Sequence, residues 1–169
     1  MSLLAEVRGF PRVLASARLT ARVTATGEWD VDKLARLLEG VHGLRTAAVV
    51  ADVDAAELGA PDTPDRALRD YLETGLPPLW SSRWAGRCSV VLGGTLTGSS
   101  GAVVSVVDSV PPLGDNLVHL QPLDWLAAGL RGEATSPGAV LLDVEAEDVG
   151  AATRAVAAAG LRGGTQGDR

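Results

Sequence analysis

Hydrophobic and polar residues alternate along the chain in a pattern that predicts both strands and helices. Residues 18–26 alternate with a period of two, which is typical of a half-buried strand. Asp30 stands where it caps the following helix, whose apolar residues recur at helical spacing, and Gly43 stands where a left-handed residue ends that helix. Residues 44–53 are more uniformly apolar and predict a second strand. The first third of the chain is therefore predicted to be a β-α-β unit.

The rest of the chain continues to alternate between the two kinds of pattern. The further predicted elements are, in chain order, a helix at 63–75, strands at 89–97 and 102–110, a helix at 121–132, a strand at 138–146 and a helix at 148–160. From residue 44 this order predicts an α+β fold with a ferredoxin-like βαββαβ core and a C-terminal helix, preceded by an extra N-terminal βα. The alternative is a three-layer mixed α/β arrangement of the same elements.

The length of 169 residues fits one domain, which buries about two thirds of its unfolded surface. Four of the first 22 residues are arginines, so residues 1–17 are predicted to form a basic N-terminal arm on an acidic body. Residues 18–160 are predicted to form the single α+β domain. Residues 161–169, rich in glycine and polar side chains, are predicted to be a disordered tail.

The net charge and the cysteine content argue against several classes of function. Fifteen Lys and Arg against 21 Asp and Glu give a net charge of −6, which argues against nucleic-acid binding. The single cysteine, Cys88, excludes an internal disulfide and a multi-cysteine metal cluster and indicates a reducing compartment. No segment has the pattern of a secretory signal or a membrane span. We therefore expect a cytoplasmic protein that binds no membrane, no metal and no cofactor.

The glycines of residues 90–109 invite comparison with phosphate-binding loops. Gly98 is not followed by the lysine of a P-loop, and Gly93 and Gly94 are adjacent, which breaks the dinucleotide-binding spacing. The valine-rich flanks read as two strands, so 98–101 is predicted to be a hairpin turn. The two adjacent glycines inside the first strand predict a bulge, or a face left bare for a close approach.

One polar cluster is a candidate for chemistry. Asp115, Asn116, His119 and Asp124 fall within ten positions, and a carboxylate that orients a histidine is the minimal general-base pair. Asp and Asn are also the usual turn and capping residues before a helix, which is the simpler explanation of the same pattern.

The tryptophans suggest a binding surface. Residues 75–87 (GLPPLWSSRWAGR) place Trp80 and Trp84 beside Pro78 and Arg83, and Trp and Arg are enriched at interface hot spots. The alternative is that both tryptophans fold inward and cover the core beneath a loop.

The leading hypothesis is a non-catalytic protein that acts through protein–protein association, either as a homo-oligomer or with another protein. It rests on the lack of a catalytic or cofactor motif, on sheet edges that are free to pair, and on the tryptophan-containing linker. The alternative is a small enzyme or small-molecule-binding protein that uses Asp115, His119 and Asp124.

Overall fold

The structure, a computed structural model, describes residues 2–9, 18–108, 118–133 and 135–166. Helices and a seven-stranded antiparallel sheet form within these ranges, which confirms the α+β class. The strands are β1 (Ala21–Thr26), β2 (Ala47–Asp54), β3 (Arg87–Thr97), β4 (Ala102–Asp108), β5 (Val118–Pro122), β6 (Val140–Val144) and β7 (Arg162–Gln166). The α-helices are α1 (Val31–His42), α2 (Asp65–Thr74), α3 (Leu123–Arg131) and α4 (Val149–Ala158).

The strands lie in the order β5-β4-β3-β2-β6-β1-β7, and every neighbouring pair is antiparallel. Helix α1 connects β1 to β2, which are separated in the sheet by β6. Helix α4 connects β6 to β7, which are separated by β1. The two β-α-β units therefore interlock, and residues 55–139, which contain β3, β4, β5, α2 and α3, are inserted between β2 and β6.

The strands that were expected to form the core from residue 44 onward lie in a different order in the sheet. The split β-α-β of a ferredoxin-like core requires another strand between its first two strands. Here β2 and β3 are direct neighbours, with Val49 opposite Leu92. The predicted extra β1 and α1 do not stand outside the core, because β1 pairs with β6 along its length. The strand-order prediction was wrong for these elements since local patterns do not specify which distant strands pair.

Helices cover the two faces of the sheet unequally. Helices α1, α3 and α4 pack with Val49, Val104 and Leu142 in the main hydrophobic core. Helix α2 packs with Val103 and Leu120 in a smaller cluster. Successive strand residues point to opposite faces, so α2 lies on the face opposite the other three helices. None of the helices in the described ranges is long and apolar enough to span a membrane.

Helix α1 begins as the sequence predicts. The side chain of Asp30 accepts a hydrogen bond of 2.7 Å from the Lys33 backbone N–H, which satisfies one of the free amides of the first turn. Trp29 is buried just before the cap, and its indole N–H donates to the Gly138 carbonyl at 3.0 Å. This bond connects the start of α1 to the chain that enters β6. At the other end, Gly43 has φ −77°, so the predicted left-handed conformation is absent there.

The hairpin prediction is confirmed, and its glycines have a packing role. Strands β3 and β4 pair on either side of the 98–101 turn, and their register shifts between Leu92 and Thr95, where a bulge was expected. A Cβ at Gly94 would lie 2.4 Å from the carbonyl oxygen of Arg8. The bare face of the strand is therefore occupied by the N-terminal segment and not by a ligand.

The N-terminal segment packs closely where it is described. Residues 2–9 include a 3₁₀ turn (Leu3–Glu6), and Leu3 and Val7 are buried against α2 and the sheet. The Arg8 N–H donates to the Thr95 carbonyl at 2.9 Å. Residues 10–17 of the predicted arm lie outside the described residues.

Two strands were not predicted. Residues 162–166 of the expected disordered tail form β7, an exposed edge strand that pairs with β1. The prediction was wrong for these residues because backbone hydrogen bonds form the strand, whereas its glycines and polar side chains have low strand propensity. Residues 167–169 lie outside the described residues. Strand β5 was expected to be loop and helix, and it pairs with β4 from Val118 to Pro122.

We predict that Gly94→Ala destabilises the protein. The added methyl group must displace the backbone of Arg8, and we expect the free energy of unfolding to fall by about 1–3 kcal/mol. The matched control is Gly164→Ala in β7, where a Cβ meets no atom within 4 Å. Urea denaturation of the two variants measures the difference. Equal stabilities would contradict the close packing of residues 7–9 on the bulge.

Candidate functional site

A cavity of about 180 Å³ lies at the end of the sheet where β3 begins, β4 ends and β5 begins. Its walls come from the chain that follows β2, from the chain that precedes β3, and from the strand ends. Its lining residues are Ala55, Leu58, Gly59, Pro61, Ser82, Trp84, Ala85, Gly86, Arg87, Cys88, Asp108, His119 and Gln121. The lining is mostly apolar with a few polar groups, which is the usual character of a small-molecule site.

Gln121 holds the wall that follows β2 in place. Its side-chain oxygen accepts from the Gly59 N–H at 2.8 Å, and its amide donates to the Gly59 carbonyl at 2.9 Å. Gln121 is fully buried, so both of its polar ends are satisfied within the protein. A Cβ at Gly59 would lie 2.3 Å from the Trp125 ring, so only glycine fits between α3 and Gln121.

Backbone hydrogen bonds join this wall to the tryptophan-containing segment. The Ala60 N–H donates to the Trp80 carbonyl at 3.0 Å, and the Ser82 N–H donates to the Leu58 carbonyl at 2.8 Å. A further bond of 2.8 Å runs from the Ala55 N–H to the Gly86 carbonyl. The segment before β3 is therefore fixed to the segment after β2 along its length.

His119 is a polar residue of the cavity with a buried ring nitrogen that has no hydrogen-bond partner among the described residues. It projects from β5 on the face of the main core, it is 7% exposed, and its buried Nδ1 has no hydrogen-bond partner. Burial lowers the pKa of this imidazole, and the nearby charge of Asp108 opposes that shift only in part. Burial therefore favours the neutral form of the ring. A buried polar atom without a partner costs about 1–3 kcal/mol.

Cys88 and Asp108 line the same cavity. Burial raises the pKa of the Cys88 thiol, and the charges of Asp108, Asp52 and Asp54 raise it further, while Arg87 lowers it. Cysteine nucleophiles depend on a thiolate beside an imidazolium. Here burial favours the neutral thiol and the neutral imidazole, the opposite of that charged pair.

The structure separates the two described members of the predicted acid–base cluster, His119 and Asp124. Asp115 lies outside the described residues, as does Asn116. Asp124 stands in the first turn of α3, where its carboxylate accepts a hydrogen bond of 2.5 Å from the Tyr71 hydroxyl. Asp124 faces a separate groove, so His119 and Asp124 line different cavities.

That groove has a volume of about 670 Å³ and runs between α1, the start of α3 and the β3–β4 turn. Burial and the bond to Asp124 raise the pKa of Tyr71. His42 lines the groove as well, and its Nε2 lies 3.1 Å from the Gly93 carbonyl. Burial lowers the pKa of His42. Tyr71, Asp124 and His42 are therefore each engaged in a hydrogen bond within the protein.

The predicted partner-binding residues divide into two groups. Pro78 is buried, so it does not belong to an exposed surface. Trp80 and Trp84 are 43% and 45% exposed, and Arg83 is exposed beside them. We define the tryptophan surface as these three residues together with Leu76 and Leu79, which are 70% and 93% exposed.

Sequence reasoning missed Gln121 and Asp108. Residues 118–121 alternate Val, His, Leu and Gln, which is the period of a strand and places His119 and Gln121 on one face. That signal was available. Asp108 ends a valine-rich strand, and no pattern in the sequence connects it to His119.

We predict that the protein loses stability as pH falls below the ordinary histidine pKa of about 6.5. The pKa values of His42 and His119 are both lowered by burial, so the unfolded chain binds more protons than the folded one below that pH. Stability is then fully present above pH 6.5 and decreases as pH falls toward the folded pKa values. Urea denaturation between about pH 7.5 and 5, above the ordinary carboxylate range, measures the loss.

The His119→Phe variant serves as the internal control for this measurement. It removes one of the two groups, so its stability should depend less on pH than that of the wild type. A wild-type stability that is unchanged across the same range would contradict the burial of both neutral rings.

Comparison with known proteins identifies a family but no named relative. No curated protein and no solved structure matches the chain. Residues 12–165 match a family described only as a family of unknown function, and this span includes all seven strands except the last residue of β7. The chain belongs to this family of unknown function, DUF6885.

Proposed function

We propose that the protein acts by protein–protein association, and that its tryptophan surface binds a second copy of the chain. The supporting observation is the exposure of four large apolar side chains within nine residues: Leu76, Leu79, Trp80 and Trp84. Several large apolar side chains exposed along one short segment are a feature of interaction sites in folded proteins. Trp is also the residue type that contributes most often to interface hot spots.

Hydrogen bonds within the monomer fix the backbone of the tryptophan surface. The backbone at Trp80 and Ser82 bonds to residues 58–60, so much of this segment is already ordered in the monomer. Binding to an ordered surface loses less conformational entropy than binding to a mobile loop. This favours an interface over a loop that folds inward to cover the core.

Charge supports a second copy as the partner. Asp62 and Arg83 line the same shallow pocket beside Trp80, and among the described residues neither takes part in a salt bridge. A two-fold interface brings a surface against itself, so Arg83 of each copy can face Asp62 of the other. Opposite charges arranged in this way improve specificity and offset the mutual repulsion of two chains of net charge −6.

The position of this surface in the fold fits the proposal. We infer that the interlocked β1-α1-β2 and β6-α4-β7 units are a ferredoxin-like scaffold, and that residues 55–139 are an elaboration of it. The tryptophan surface belongs to that elaboration, as binding residues often belong to loops on a rigid scaffold. We further propose a cytoplasmic location, where the free thiol of Cys88 stays reduced.

We predict that Leu79→Ser weakens self-association at least tenfold. Leu79 is 93% exposed, so the substitution removes apolar contact area from the interface and leaves the monomer folded. Sedimentation velocity over a concentration series measures the dimer dissociation constant, and circular dichroism confirms the fold. The matched control is Val107→Ser, which changes a 36% exposed apolar residue on the sheet. A wild type that is monomeric at all concentrations, or a larger effect of Val107→Ser, would overturn the proposal.

We also predict reciprocal rescue between the two charges. Arg83→Asp and Asp62→Arg should each weaken the dimer, because each places like charges opposite one another across the two-fold axis. The double variant restores opposite charges and should associate nearly as well as the wild type. The same sedimentation experiment tests this, and a double variant weaker than both single variants would show that the two side chains do not meet.

A further inference from the structure

We propose that the cavity beside His119 binds a small neutral aromatic alcohol, with its ring among the apolar walls and its hydroxyl on the imidazole. The inference is independent of the proposed self-association, since the cavity is formed within one chain. It rests on the size of the cavity, on the hydrogen-bonding state of its polar residues, and on its charge.

The size of the cavity favours a single ring. A dry apolar cavity of about 150 Å³ in a protein binds benzene. The present cavity of about 180 Å³ is slightly larger and has Leu58 and Trp84 among its walls. A six-membered ring with one small substituent therefore fits, whereas a nucleotide or a sugar phosphate is too large.

Hydrogen bonding identifies His119 as the residue that a ligand contacts. Both ends of the Gln121 amide are bonded to Gly59. Arg87 donates to the Asp52 carboxylate at 3.1 Å and to the Ser136 carbonyl. His119 lines the cavity, and Nδ1 of its ring has no partner.

A hydroxyl is the substituent that matches this histidine. A neutral imidazole has one nitrogen that donates and one that accepts. A hydroxyl both donates and accepts, so it pairs with whichever nitrogen it reaches. A carbonyl only accepts, so it satisfies one of the two tautomers, and a hydrocarbon satisfies neither.

The charge of the cavity selects against anions. The Asp108 carboxylate is in the lining, and its charge acts on both His119 and Cys88. The guanidinium of Arg87, which would attract an acid, is already paired with Asp52. A benzoate therefore meets repulsion in this cavity, whereas a phenol does not.

The test is isothermal titration calorimetry with phenol, toluene and benzoate on the wild-type protein. We expect phenol to bind one site per chain with a dissociation constant of about 0.1–1 mM, typical of a ligand with so few atoms. Toluene has nearly the same size but lacks the hydroxyl, so its affinity should be at least tenfold lower. Benzoate should show no binding. Absence of phenol binding, or equal affinities for phenol and toluene, would overturn the proposal.

Two variants and a spectroscopic readout locate the site. His119→Phe should bring the affinities for phenol and toluene to within about twofold, since the difference comes from one hydrogen bond. His42→Gln, in the other groove, should leave the phenol preference unchanged, and Ala85→Phe should block both ligands by filling the cavity. In wild-type protein labelled in its histidine rings, phenol should shift the His119 resonances and leave those of His42 in place. A preference for phenol that survives His119→Phe, or a shift at His42 alone, would place the ligand elsewhere.

The same titration on Leu79→Ser separates this inference from the proposed function. Leu79 does not line the cavity, so phenol should bind this variant as it binds the wild type. If Leu79→Ser loses self-association and still binds phenol, self-association and phenol binding are independent properties of the protein.

Discussion

The insertion of β6 between β1 and β2 is the constraint on which the rest of the architecture depends. Leu142 of β6 lies opposite Val23 on one side and Val49 on the other, and all three are fully buried. Strands β3, β4 and β5 and helices α2 and α3 all lie between β2 and β6 in the sequence. Pairing of such distant residues pays a large loop-closure entropy, which the buried core beneath α1 and α4 has to offset.

The same constraint explains where the candidate sites lie. Residues 55–139 begin and end at adjacent strands, β2 and β6, so they form an extension at one side of the scaffold. Inside that extension, the Gln121–Gly59 pair joins β5 to the chain that follows β2. The cavity is the space enclosed by that junction and the tryptophan-containing segment. A buried amide with both ends bonded provides the rigidity that a small binding site needs.

Local patterns predicted the local structure well. The Asp30 cap, helix α3 and the bulge near Gly94 all follow from side-chain spacing and backbone conformation, which neighbouring residues determine. Strand β7 could not be predicted in this way, because its exposed residues form a strand only by pairing with β1. Nor could the order of the strands, which depends on which buried faces meet.

For the candidate site, too, the sequence indicated a single residue but not its neighbours in space. His119 was identified from the sequence, but its expected partner Asp124 belongs to a helix that turns away from the strand and bonds to Tyr71. The residues that surround His119 come from β3, β4 and the chain after β2, which are far apart in sequence. Sequence proximity was therefore a poor guide to the neighbours of a strand residue, since strand pairing determines them.

Trp84 connects the two candidate sites physically. Trp84 is part of the tryptophan surface, and it also lines the cavity beside His119. Coupling between two binding equilibria is reciprocal, so any effect that association has on ligand affinity is matched by an equal effect of the ligand on association. The segment that carries Trp84 is fixed by backbone bonds at Leu58 and Ala55, which restricts the movement available to transmit such coupling. Trp84 is therefore the residue through which any such coupling would pass.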